Sequence, residues 1–181
     1  MSLESKLLGT KTKHAVIIPD LHVPYQDEKA LQVVENYIKD TQPDAIYQIG
    51  DMYDFYSISR FDKDPSRLET LQDEIDVGYD IWQRIKKASP DSELHHLTGN
   101  HEVRLKKYLW RHPELHSLKA LKLDNVLRLK ELGVNHYDVE DVVYINKNLI
   151  VTHGANDDGC KLSNTVVTPQ KILWIKQVLA A

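Results

Sequence analysis

Residues 94–105, LHHLTGNHEVRL, decide how the whole chain is read. An apolar run of strand length stops at Gly99, and a side-chain amide, an imidazole and a carboxylate follow at once as Asn100, His101 and Glu102. The letters after them, EVRLKKYLW, have the apolar spacing of a helix. The stretch therefore predicts a strand, a tight turn and a helix start. On its own such a turn is ordinary; three polar groups at one strand end become an edge of a site only if partners gather beside them.

Working outward, the same pattern recurs. DAIYQIGD (44–51) is an apolar run ending on Gly50 and Asp51, HAVIIPD (14–20) is a β-branched run ending on Pro19 and Asp20, and NLIVTHG (148–154) ends on His153. VNHYDV and DVVYIN add two further strands. Between them, Asp27 is placed to cap a helix with Ala30, Val33, Val34, Tyr37 and Ile38 on one face. A long amphipathic helix is predicted from Asp64 and Pro65 through Lys87, with Leu68, Leu71, Ile75, Gly78, Trp82 and Ile85 as its apolar stripe. Residues 113–131 predict one or two short helices. The order β-α-β-α-β-α followed by strands is that of an α/β protein with a mixed sheet. In open α/β sheets ligands bind beyond the carboxyl ends of the strands, where Asp20, Asp51, Asn100 and His153 all fall.

Length and composition set the frame. With 181 residues, 41% apolar and 28% charged, a single domain over 1–181 is expected, with a flexible start over 1–12. The net charge of −4 disfavours a protein devoted to gripping nucleic acid, though it leaves a local basic patch open. Cys160 stands alone, which excludes an intrachain disulfide and a thiolate zinc cluster, so any metal must sit on His, Asp, Glu and Asn. The polar, basic start MSLESKLLGTKTK and the lack of an 18-residue apolar run lead to the expectation of a cytoplasmic protein without membrane contact.

Singly, each strand-end motif reads as a turn or a helix cap. Together, PDLH (Asp20, His22), GD (Asp51), GNHE (Asn100, His101, Glu102) and THG (His153) supply the carboxylates, amide oxygen and imidazoles that a dinuclear metal centre needs. His95 and His96, inside a strand, read as structural, and His14, His112, His116 and His136 lack motif context.

The ordered set D-x-H, G-D, G-N-H-E and H-G closely resembles the calcineurin-like metallophosphoesterase family, in the branch found in bacteriophage and related bacterial genomes. That resemblance implies a sandwich of two mixed β-sheets flanked by helices, the second sheet incomplete here. It also implies two divalent transition metals (Mn, Fe, Zn, Ni or Co), with Asp20 and His22 on the first, Asp51 bridging, and Asn100 and His153 on the second. A metal-held hydroxide would attack phosphorus in line, and His101 would protonate the leaving oxygen or steady the transition state. Glu102 is expected to orient a neighbouring group on the substrate side, and Arg60 and Arg104 are candidates for contacting phosphate.

One family motif, G-H-x-H, has no counterpart, because no histidine follows His153. The stretch NTVVTPQ (164–170), back-translated and read one base earlier, can yield His-Ser-Gly-Tyr-Ser-Ala-Lys, which resembles the phage-branch continuation. A frameshift near Ser163 is therefore expected, the alternative being a natural tail forming a helix over PQKILWIKQVLAA. On either account 155–181 is an atypical tail, the metals are expected to be under-occupied, and a homodimer could form through the exposed C-terminal region. The expected function is metal-dependent hydrolysis of phosphomono- or phosphodiesters; the alternatives are a metal-binding but impaired remnant or binding module, and a DNA or RNA nuclease.

Overall fold

The computed structural model describes residue 12, residues 14–146 and residues 149–153. The start over 1–11 and the tail over 155–181, and with them the expected frameshift, the alternative helix and the expected dimer surface, lie outside the described residues.

Four parallel strands, β1 (Ala15–Ile18), β2 (Ala45–Gln48), β3 (Glu93–Leu97) and β4 (Val134–Tyr137), form one sheet in the order β1-β2-β3-β4. The register pairs Ala15 with Ala45, Ala45 with Glu93, and Leu94 with Val134. Each crossover steps to the next neighbour in the same direction. Right-handed connections therefore lay all the intervening helices on one face. Those helices are α1 (Glu28–Thr41), α2 (Leu71–Ala88), α3 (Val103–Arg111) and the one-turn α4 (Pro113–His116), α5 (Leu123–Val126) and α6 (Leu129–Leu132). The opposite face is left for the antiparallel pair β5 (Val143–Asn146) and β6 (Leu149–Val151).

Two cores follow from the strand alternation. Ile18, Ile46, Leu94 and Val134 face the helices and pack with Leu31, Ile38, Ile81, Trp82 and Ile85. Ala45, Tyr47, Leu97 and Tyr137 face the small sheet and pack with Val143, Ile145 and Val151. The expected two-sheet sandwich with flanking helices is thus borne out. Among the described residues, strand direction is mixed between the sheets rather than within either.

Three elements differ from their sequence reading. The long helix begins at Leu71, not at Asp64, because Thr70 and Asp73 form a reciprocal capping box that starts it there. Leu68, read as part of the apolar stripe, is 82% exposed. On α1 the buried face is Leu31, Glu35 and Ile38, while Val33 and Tyr37 point to solvent; Arg84 of α2 reaches Glu35 at 2.8 Å and so holds a carboxylate in the α1–α2 seam. Residues 113–132 break into three one-turn α-helices and a 3-10 turn at Lys119–Leu121 rather than one or two helices. None of the described helices is long and apolar enough to cross a membrane.

Candidate metal centre

The strand ends of β1, β2 and β3 and the end of β6 meet at one edge, and the backbone there is shaped to present side chains. Past the strands, the β1 and β2 loops stay tied: Asp20 N–H donates to Gly50 O at 3.2 Å, His22 N–H to Asp51 O at 3.0 Å and Val23 N–H to Met52 O at 2.8 Å. Asp20, His22 and Asp51 all adopt left-handed backbone angles, with φ of 40°, 49° and 52°. Such angles cost non-glycine residues energy and collect at functional sites. Gly99 is required by space, since a Cβ there would lie 2.2 Å from Asp51 N and 2.3 Å from its Oδ1. Gly50, at φ 100°, gives way in the same manner to the His153 ring.

The geometry brings the strand-end residues together. Ligating atoms of Asp20, Asp51 and His153 lie within 4.8 Å of one another, as do those of His22, Asp51 and His101. Asp51 belongs to both groups. Its carboxyl is pushed up by burial, but hydrogen bonding and charge from His153 outweigh this and hold it below the usual carboxylate range. His153 donates through Nδ1 to Ile49 O at 2.8 Å, which turns Nε2 toward Asn100 Oδ1 at 3.1 Å and Asp51 Oδ1 at 3.5 Å. Grouping by distance joins Asp20 to His153 and His22 to His101, whereas the family resemblance divides them otherwise.

Asp54, absent from the sequence reading, organises the other half of the site. Its Oδ1 sits 2.8 Å from His101 Nδ1 and 3.4 Å from His22 Nδ1, and its backbone oxygen accepts from Arg104 Nη1 at 2.6 Å. Burial pushes the Asp54 carboxyl up, yet the hydrogen bonds from His101 and His22 win and hold it well below the ordinary range. His22 is in turn raised, chiefly by that hydrogen bond. The His22 and His101 rings meet edge to face with centroids 4.4 Å apart. Arg104 Nη2 lies 3.1 Å from His101 Nε2, so the guanidinium and the imidazole face the same space.

Glu102 lies beneath the site, not on its substrate side. It is 1% exposed and accepts from Gly99 N–H at 2.8 Å, Asp51 N–H at 3.0 Å and Tyr53 N–H at 3.0 Å. One carboxylate thus fastens the β2 loop to the β3 turn. Glu74 of α2, also missed in the sequence, does the same for the next residues by accepting from the Phe55 and Tyr56 N–H groups. The D-x-x-D spacing of Asp51 and Asp54 was the available signal for Asp54. Glu74 gave none, being one acidic residue in a helical stripe. Arg60 lines a cavity of about 520 Å³ together with Asn100 and Arg104. His95 and His96 are fully buried in β3; His95 stacks on Tyr47 at 4.3 Å, as a structural histidine does.

An α/β sandwich with carboxylates, imidazoles and an amide converging at the strand ends has the donor set of a metallohydrolase. Consistent with this, the sequence model of the calcineurin-like phosphoesterases matches residues 14–179, and the chain belongs to that family. Members of the family are in general metal-dependent phosphoesterases. Among curated relatives, the gene 54 protein of Mycobacterium phage D29 is 30% identical over 147 residues, covering 79% of this chain and 57% of the relative. The gene 54 protein of Mycobacterium phage L5 is 39% identical over 82 residues, covering 45% of this chain and 26% of the relative. These relatives bear out the likeness to the phage branch. The chain spans little more than half the length of the first and about a quarter of the second.

Proposed function

We propose that the protein hydrolyses phosphomono- or phosphodiesters with two divalent transition-metal ions held by Asp20, His22, Asp51, Asn100 and His153. The observation that carries this reading is the position of Asp51, one carboxylate common to two clusters of ligating atoms. The donors fit the group: two carboxylates, two imidazoles and an amide oxygen suit Mn, Fe, Co, Ni or Zn better than Mg. When bound, such ions supply Lewis-acid polarisation of the phosphoryl group and an activated water.

The chain's own residues do the rest. Asp51 offers its carboxylate to both clusters, with Oδ1 also accepting from His101 N–H at 2.9 Å. Asp54 fixes His101 with Nδ1–H as donor, so that Nε2, which accepts from Arg104 Nη2 at 3.1 Å, is the ring atom turned toward the substrate space. Arg104, anchored on Asp54 O and facing His101 Nε2, places positive charge where negative charge develops. Glu102 keeps Asp51 and Gly99 in register beneath them.

The test is hydrolysis of a chromogenic phosphodiester and monoester with added Mn²⁺, comparing the wild type with Asp51→Asn. Metal-dependent turnover that Asp51→Asn reduces by a hundredfold or more, roughly the effect of losing an essential metal ligand together with its alignment, is expected. Equal rates in the two proteins would sink the metal mechanism.

A further inference from the structure

The cavity beside the metal centre has an unusual lining. Arg104, Lys107 and Arg111 stand at i, i+3 and i+7 on one face of α3, and Arg60 approaches from the β2–α2 loop. Among the described residues no carboxylate lines this cavity. The Lys63 ammonium nearby is lowered, first by desolvation and then by the charges of Arg104 and Arg111, which reports a concentrated positive field. The net charge of −4 is an average over the chain; the local field is what a ligand meets.

Two aromatic side chains, Phe61 and Trp110, sit in the same lining and are more than half exposed. Phe61 is 62% exposed and Trp110 is 58% exposed. Neither belongs to the hydrophobic core, which α3 reaches through Leu105 and Leu109 instead. Each has a cation near its ring: Arg60 lies 5.5 Å from the Phe61 centroid and Lys106 5.8 Å from that of Trp110. Exposed rings cost solubility, and among the described residues neither ring joins a hydrophobic core cluster.

A single phosphoryl group held by metal ions and Arg104 has no use for three more cations and two open rings. A strand of nucleotides has use for all of them. Successive phosphates match Arg60, Lys107 and Arg111, and unstacked bases match Phe61 and Trp110, the combination by which proteins hold single-stranded nucleic acid. The volume of about 520 Å³ suits a nucleotide-sized unit, and the lining includes Asn100, a metal-ligand candidate. We infer that this cleft binds a single-stranded polynucleotide and feeds one of its phosphodiesters to the metal centre. The substrate reading rests on the phosphoesterase function proposed above; the binding itself does not.

Fluorescence anisotropy of a short labelled oligothymidylate, measured in EDTA, separates the two. Three phosphate contacts on a single strand predict a slope near −2 in log affinity against log salt, or about a fifteenfold loss between 50 and 200 mM. Phe61→Ala and Trp110→Ala should each weaken binding roughly tenfold, and Trp110→Phe should restore most of it. Lys107→Ala with Arg111→Ala should remove about two-thirds of the slope. With Mn²⁺ present, these variants should lower kcat/KM for the oligonucleotide by tenfold or more relative to the chromogenic diester.

Several outcomes overturn the inference: no strand binding by a protein that hydrolyses the chromogenic ester, aromatic variants without effect, or duplex bound as tightly as single strand. Strand binding with the predicted slope by a protein that hydrolyses no ester would uphold the cleft and defeat the phosphoesterase reading instead.

Discussion

Asp54 orders the site more than several of the metal-ligand candidates do, although it is not among them. Its carboxylate fixes His101 and His22, and its carbonyl anchors Arg104. Asp54→Asn keeps the shape but removes the charge and half of the acceptor capacity. Turnover of a chromogenic diester should fall about 10- to 100-fold while the far-ultraviolet spectrum stays unchanged. An undiminished rate would show that His101 needs no such orienter. At this scale the ligand candidates were legible because each follows a strand and most stand next to a glycine. Asp54 carried only its D-x-x-D spacing from Asp51, and Glu74 carried no signal, because its partners come from a loop brought close only by folding.

His96 makes a second case for reading single residues by their surroundings. Both its ring nitrogens are buried without a hydrogen-bond partner, and burial pushes its pKa down to about 3. Its folded value therefore lies below its unfolded one. As pH falls through 6.5 the unfolded chain takes up the proton first, so the native state loses stability on the acid side and keeps it above. The loss reaches about 3 kcal/mol near pH 4. Urea titrations across that range should show His96→Leu with a shallower acid decline than the wild type, and parallel declines would contradict this assignment.

Among the elements, α2 shows where periodicity misleads. The three- and four-residue spacing continues upstream into residues 64–70, but Arg67 lies over the Tyr25 and Tyr56 rings at 4.6 and 4.5 Å and reaches Asp54 at 3.7 Å. That packing holds the segment against the site as a loop. The helix starts where Thr70 and Asp73 cap each other, a signal present in the letters TLQD that a start read from Asp64 and Pro65 passes over. Thr70→Ala should cost about 1 kcal/mol, lowering Tm by roughly 2–4 °C in a chain of this size. A scanning calorimeter resolves such a shift, and an unchanged Tm would deny the cap its role. The strands were legible almost to the residue because buried parallel strands are short, apolar and bounded by turn residues. The α1 face was not, because Glu35 takes a buried position beside Arg84 that pattern alone gives to an apolar residue.

For the molecule as a whole, the proposed donors come from four separate segments, so metal binding at this centre requires the folded state. Mn²⁺ at about 100 times its dissociation constant should stabilise the protein by roughly 2.7 kcal/mol. Asp51→Asn should lose most of that shift in a thermal melt, and an equal shift in both proteins would place the ion elsewhere. The strand ends share one edge because four strands run parallel in sequential order, and β-α alternation in the sequence already implied it. The sandwiching of β5 and β6 on the open face was less visible, since two short strands of three and four residues carry little pattern.

The contact from His153 to Ile49 and Asn100 spans 104 and 53 residues, respectively. During synthesis the β1, β2 and β3 donors emerge long before it, and domains form as the chain lengthens. Under the proposed ligand set, His153 is the last donor made, and the centre stays one donor short until β6 has reached the edge of the large sheet.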